Sequence, residues 1–303
     1  MAVSRFSSAA RRPSFGGRYA GKVVVVTGAS AGLGAQLCRD LASAGATVIG
    51  LARNTARLDA LAVELRRDSP SSETITCDVS GTDNLRKVLD HIAETHGAID
   101  VLINNAAQDP GIRLVDIAED DFRHTFDVNF FAPVAATLAV TPSMVERGAG
   151  IVINVSSDGG RLPAPGPGAY PSSKAALSAF TESTSFRLGP KGVRMHVVYP
   201  AFMATELGLG ALGRGLRKPP RLTRRSVATV SRRILAQAGG RSLEISVSGL
   251  IDAAMVFRSL MPRTYRRFRR FWQPRGDQGC GSREGRGGRA GPAEGRAGRL
   301  SRP

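Results

Sequence analysis

The chain has 303 residues, 42% hydrophobic and 22% charged, a composition that excludes a fibrous or wholly disordered protein. No uninterrupted apolar run reaches the ~18 residues of a spanning helix, so an integral membrane protein is not expected. The net charge of +17 is lopsided: residues 1–213 hold 20 Lys and Arg against 20 acids, whereas residues 214–303 hold 22 against 5. Three separated cysteines (Cys38, Cys77, Cys280) and four histidines (His91, His96, His124, His196) form no ligand spacing, which argues for a reducing compartment and no metal.

Residues 1–20 carry Arg5, Arg11, Arg12 and Arg18 and no acid. They share the composition of a mitochondrial transit peptide but have no amphipathic stripe, and they read as a flexible basic arm. Over residues 21–249, apolar β-branched runs alternate with longer amphipathic stretches, the pattern of βαβ units around a parallel sheet covered on both faces. Strands are predicted at 23–26, 47–51, 74–77, 99–103, 151–155, 193–198 and 243–247. A helix over 33–44 stops before Gly45, and Leu58, Leu61 and Leu65 mark a second. Val227, Val230 and Ile234 mark another, with Thr223 as its expected cap.

The first strand runs into Thr27-Gly28-Ala29-Ser30-Ala31-Gly32-Leu33-Gly34 and then a helix. Glycines let such a turn approach a phosphate closely, and free N–H groups at the helix N-terminus attract its charge. Gly28, Ser30, Gly32, Leu33 and Gly34 are therefore candidate phosphate contacts. Arg53 follows the second strand where no acid stands, which suits the 2′-phosphate of NADP(H) better than the ribose of NAD(H). Ser157, at the end of the fifth strand, lies where open α/β sheets bind ligands, and its hydroxyl suits a carbonyl oxygen; Ser156 then faces elsewhere. In Tyr170-Pro171-Ser172-Ser173-Lys174 the Tyr and Lys share a helix face, with Cβ atoms about 5–6 Å apart. A cation there favours tyrosinate and would bring the phenol down from about 10 toward neutral pH.

From residue 21 to 247 the sequence resembles the short-chain dehydrogenase/reductase family, on T-G-x-x-x-G-x-G at 27–34, Asn104-Asn105-Ala106-Ala107, Asn154-Val155-Ser156-Ser157 and Tyr170 with Lys174. The resemblance implies an α/β fold of Rossmann type: a doubly wound, seven-stranded, mostly parallel sheet with helices on both faces. It implies that Asn129 completes a proton relay with Ser157, Tyr170 and Lys174, and that Lys174 also holds the nicotinamide ribose. It places Asp78 and Val79 beside the adenine, Asn105, Ala106 and Pro200 along the cofactor, and Thr205 at the carboxamide. Ala107 and Ala201 stand where the family has glycine, and Ala31 where NADP-preferring relatives often carry a base. The expected function is an NADP(H)-dependent oxidoreductase interconverting a carbonyl and an alcohol on a small substrate, lipophilic ones included. The rival is a non-catalytic nucleotide-binding protein recruited to a membrane or partner by its basic end.

After Thr205, the segment to Leu222 stands where the family has its variable substrate lid. Residues 250–272 join an apolar stretch (Leu250, Ile251, Ala254, Met255, Phe257, Leu260) to arginines interleaved with Tyr265, Phe268, Phe271 and Trp272. Such a segment suits an anionic membrane surface, packing on the domain or a second copy, or nucleic acid, the last least favoured. Residues 274–303, with nine Gly and seven Arg, bury too little to offset ordering and read as a disordered tail. A homo-oligomer in the cytoplasm, at most peripheral to a membrane, is expected.

Overall fold

A strand that is apolar on both sides needs cover on both faces, and the computed structural model supplies it. The structure describes residues 15–112, 116–163, 168–213 and 220–271. Strands β1 (Val23–Thr27), β2 (Thr47–Ala52), β3 (Glu73–Thr76), β4 (Val101–Asn104), β5 (Gly150–Val155), β6 (Val193–Tyr199) and β7 (Glu244–Ser246) form one all-parallel sheet in the order β3-β2-β1-β4-β5-β6-β7. Their bounds lie within about two residues of those predicted.

Side chains alternate along each strand, and the core divides accordingly. Val24 and Val26 of β1 pack beneath α2 (Gly32–Ser43), α3 (Thr55–Asp68) and α10 (Val227–Gln237), through Leu37, Leu41, Leu58, Leu65, Val230 and Ile234. Val23 and Val25 face the other way, toward Leu85, Leu89 and Ile92 of α4 (Thr82–His96) and Val140 and Met144 of α6 (Ala132–Glu146). The helix that continues from α5 (Glu119–Phe126) into α6 is apolar and long enough to cross a bilayer, but most of its apolar stretch is buried inside the domain. The remaining helices are α1 (Gly16–Tyr19), α7 (Asp158–Arg161), α8 (Ala169–Leu188), α9 (Glu206–Gly213), α11 (Gly249–Leu260) and α12 (Pro262–Phe271).

Two expectations change. The arm expected over residues 1–20 is docked from Phe15 onward: Tyr19 is fully buried, its ring edge meets Phe15 at 6.0 Å, and its hydroxyl donates to the Leu235 carbonyl at 2.9 Å. Arg18 donates to the carbonyls of Ala236 and Ala238, closing the C-terminal end of α10 where a cation is favoured. A single aromatic pair has no period, so the sequence pattern does not reveal it. The cap of α10 is Ser226, whose hydroxyl accepts the Thr229 N–H at 3.2 Å; Thr223 instead donates to the Pro220 carbonyl at 2.9 Å inside a single 3-10 turn. Residues 1–14, Trp272 and the 274–303 tail lie outside the described residues.

Tyr19→Phe is expected to lower stability by about 1 kcal/mol, because it leaves the Leu235 carbonyl only the long Arg18 hydrogen bond, and Tyr19→Ala by about 3–5 kcal/mol. Chemical denaturation measures both, and wild-type stability in the two variants would show that α1 is not docked.

Candidate active site

The strand order reverses between β1 and β4, so the chain leaves these neighbouring strands toward opposite faces and opens a crevice at their carboxyl ends. Thr27 is buried at that point. Its Oγ1 accepts the N–H groups of Asn105 and Ala106, both at 3.0 Å, while Asn105 Nδ2 donates to the carbonyls of Thr27 at 3.0 Å and Gly28 at 3.3 Å. Gly28 turns the chain at φ +69°, and a Cβ on Gly34 would stand 2.1 Å from the Gly28 carbonyl oxygen. Ala31 precedes α2 in extended backbone and supplies no side-chain cap, which leaves the first-turn N–H groups open to a phosphate. Thr205, just before α9, lies against Gly32: a Cβ there would meet its methyl at 3.1 Å. Leu33 and Val79 send their side chains into the core. Pro200 is half-buried beyond β6, and Ala201 is packed in the core beside it.

On the β2 side, Arg53 holds its guanidinium in the open, 3.9 Å from Asp78. Burial opposes ionisation of Asp78, but hydrogen bonds from the Ser80 N–H and hydroxyl, with the charges of Arg53 and His124, outweigh it and hold the carboxyl below its ordinary range.

One strand beyond β4, Ser157 stands two residues past β5 and caps α7, its Oγ accepting the Gly159 N–H at 3.0 Å. The same hydroxyl faces the Tyr170 phenol in the first turn of α8 and favours its ionised form. Ser156 points the other way, donating to the Lys174 carbonyl at 2.8 Å. Lys174 is buried, with Nζ donating to the Val155 carbonyl at 2.8 Å and lying 6.0 Å from the centre of the Tyr170 ring. The expected drop in the Tyr170 pKa is not what this geometry gives. Burial pushes the phenol up to about 12, the facing Ser157 hydroxyl pulls the other way, and the charges of Asp109 and Asp158 add to the rise. Burial also brings the Lys174 amine down to about 7, which weakens the cation that was to do the tuning.

Asn129 sits in a π-helical turn, Asp127–Phe131, between α5 and α6. Turns of this kind are frequent at functional sites. Its Nδ2 donates to the Gln108 carbonyl at 2.8 Å and to Ser173 Oγ at 3.1 Å, and its Oδ1 accepts the Gln108 N–H at 2.9 Å. Asn129 therefore ties the loop after β4 to α8 beside Lys174. Thr27 and Asp158 were not singled out from the sequence, although Thr27 opens the glycine motif and Asp158 follows Ser157.

Residues 22–210 match the family model described as short chain dehydrogenase, and the chain belongs to that family, an oxidoreductase family. It is 38% identical over 196 residues to a short chain dehydrogenase of Pseudocercospora fijiensis, covering 64% of this chain and 63% of that protein, a little under two thirds of its length. It is 30% identical over 256 residues to dehydrogenase/reductase SDR family member 7B of Danio rerio, covering 80% and 83%. Among solved structures, a short-chain dehydrogenase from Sphingobium yanoikuyae in complex with NADPH superposes with a TM-score of 0.69 at 28% identity, covering 80% of this chain and 96% of that one.

Gly34→Ala is expected to displace the Gly28 turn and abolish nucleotide binding, measured by fluorescence titration. Wild-type affinity in a folded Gly34→Ala protein would remove the turn from the site.

Proposed function

We propose that the protein is an NADP(H)-dependent oxidoreductase that interconverts a carbonyl and an alcohol on a small substrate. The observation that carries this reading is that Ser157 and Tyr170 face each other at the same carboxyl edge of the sheet as the glycine turn, backed by buried Lys174. The residues present fit the nucleotide: a turn that a Cβ on Gly34 would fill, an open helix N-terminus at α2, and an exposed guanidinium at Arg53. Gly28, Ser30, Gly32 and the Leu33 backbone would hold the pyrophosphate, Arg53 the 2′-phosphate, Asp78 and Val79 the adenine side, and Lys174 the nicotinamide ribose. Asn105, Ala106, Pro200 and Thr205 would line the rest. The bound nucleotide supplies or accepts the hydride.

The chain's own groups handle the oxygen and its proton. With a pKa pushed up to about 12, Tyr170 is protonated at neutral pH and donates to the substrate oxygen as it becomes an alcohol. Ser157 donates a hydrogen bond to the same oxygen and stabilises its developing charge. Lys174, with a pKa near 7, gains or loses a proton at little cost and replenishes Tyr170. Asn129 fixes the spacing between the β4 loop and α8, so the donors meet the oxygen at one point. The NADPH in the Sphingobium relative supports the nucleotide assignment. Membership of an oxidoreductase family leaves the non-catalytic rival unsupported.

Tyr170→Phe is expected to lower kcat by about 10²-fold or more with nucleotide affinity retained, and near wild-type turnover would overturn the mechanism. Arg53→Ala is expected to weaken NADPH about tenfold while sparing NADH, and equal weakening of both would remove Arg53 from the 2′-phosphate.

A second proposal concerns the cytoplasmic setting. Helix α11 turns Leu250, Val256, Phe257 and Leu260 outward, Met261 just beyond it is exposed too, and α12 adds exposed Arg263, Arg266 and Arg267, a pairing that suits a peripheral contact with an anionic membrane. Phe131, Leu138 and Phe186 form further exposed apolar surface suited to a second copy of the chain. Full-length protein is expected to co-sediment with anionic vesicles at low salt, and replacement of Arg263, Arg266 and Arg267 by Gln is expected to release it. No sedimentation, or no effect of the replacement, would contradict the membrane contact.

A further inference from the structure

Arg161 stands four residues beyond Ser157 and is 9% exposed, a buried cation that is tolerable only if paired. Its partners converge from several elements. Asp158 of its own turn lies at 3.1 Å, Glu244 and Ser246 of β7 at 3.4 and 3.1 Å, and Asp252 of α11 at 3.1 Å. The guanidinium also lies 3.6 Å from the centre of the Tyr199 ring at the end of β6. Ser246 donates to Asp252 at 2.7 Å, and the Arg161 carbonyl accepts from the Arg258 guanidinium, so α11 grips this residue by side chain and backbone.

The helix that Arg161 closes is a single turn, too short to hold its own place. It is wedged between Ser157 and α8. A Cβ on Gly160 would come within 3.0 Å of the Lys174 carbonyl carbon and the Ala175 nitrogen, and one on Gly159 within 3.3 Å of Ser157 Oγ and 4.0 Å of the Tyr170 ring. Any shift of α7 therefore moves Ser157 relative to Tyr170. On the side away from α8, Arg161 restrains that shift through β7 and α11.

We propose that Arg161 is a positioning residue for the Ser157–Tyr170 pair, and that α11 belongs to the catalytic frame through Asp252. The proposal rests on the oxidoreductase reading above. It extends the working part of the molecule past residue 210, where the family match ends, to a helix some forty residues farther on. Asp158 shows how tightly this corner is closed: burial pushes its carboxyl up to about 6, Asp252 adds to the rise, and Arg161 opposes it. The position of α11 is thereby read at the catalytic serine.

The test uses full-length Arg161→Met, Arg161→Lys and Asp252→Asn, with kcat, carbonyl KM, NADPH affinity and melting temperature measured for each. Arg161→Met is expected to lower kcat about 100-fold with NADPH affinity retained, the size expected of a small misplacement of reacting groups. Arg161→Lys should recover part of that loss, since an ammonium keeps the charge but not the planar fork. Asp252→Asn, a partly exposed change, should cost about threefold or more in kcat with unchanged melting, and it carries the test if Arg161→Met does not fold. Wild-type kcat in a folded Asp252→Asn or Arg161→Met, or a loss explained wholly by weaker NADPH binding, would overturn the proposal. If the wild type turns over no carbonyl, the oxidoreductase reading itself fails and the positioning role falls with it.

Discussion

The stitch between Thr27 and Asn105 fixes the point from which the rest of the site is measured. Two N–H groups from the β4 loop end on one buried hydroxyl, and one amide returns to two carbonyls of the glycine turn. These bonds join two strand ends whose chains depart to opposite faces, so the crevice between them cannot close by hydrophobic collapse. Once they are made, the direction of α2 is set and its N-terminal N–H groups point to one place. The next strand across, β5, then delivers Ser157 to the same edge, and the Lys174 bond to the Val155 carbonyl hooks α8 onto the end of β5.

Within this frame, burial outweighs direct charge. A lysine at helical spacing from a tyrosine would lower the phenol pKa in water, but here burial raises the phenol and depresses the amine. On the proposed reading, the pair holds a proton for donation rather than storing a tyrosinate. The β2 corner behaves oppositely. Arg53 and Asp78 are open to solvent, and hydrogen bonds from Ser80 with the Arg53 charge hold the Asp78 carboxyl below its ordinary range.

Much of this was legible in the sequence because it is local. Uninterrupted β-branched runs located the seven strands, and the glycine turn, Ser157, Tyr170 and Lys174 lie in short motifs whose spacing carries their chemistry. Illegible features depend on residues far apart in the chain. Tyr19 docks on a carbonyl 216 residues away, and Arg161 meets Glu244 and Ser246 83 and 85 residues away. No period or motif marks such pairs. The direction of the Tyr170 shift is hidden for a related reason: helical spacing reveals which charge is near but not how far each group is buried. Ser226 and Thr223 are both plausible caps, and only backbone geometry separates them.

The central claim is that this corner of the sheet moves a hydride and a proton to one oxygen. It is tested most directly by following NADPH absorbance at neutral pH against a panel of ketones and aldehydes, with the alcohol product quantified in the same reaction. At least one carbonyl is expected to be reduced, with one alcohol formed per NADPH consumed. NADPH that binds tightly but is never consumed with any carbonyl, or is consumed without alcohol, would contradict it.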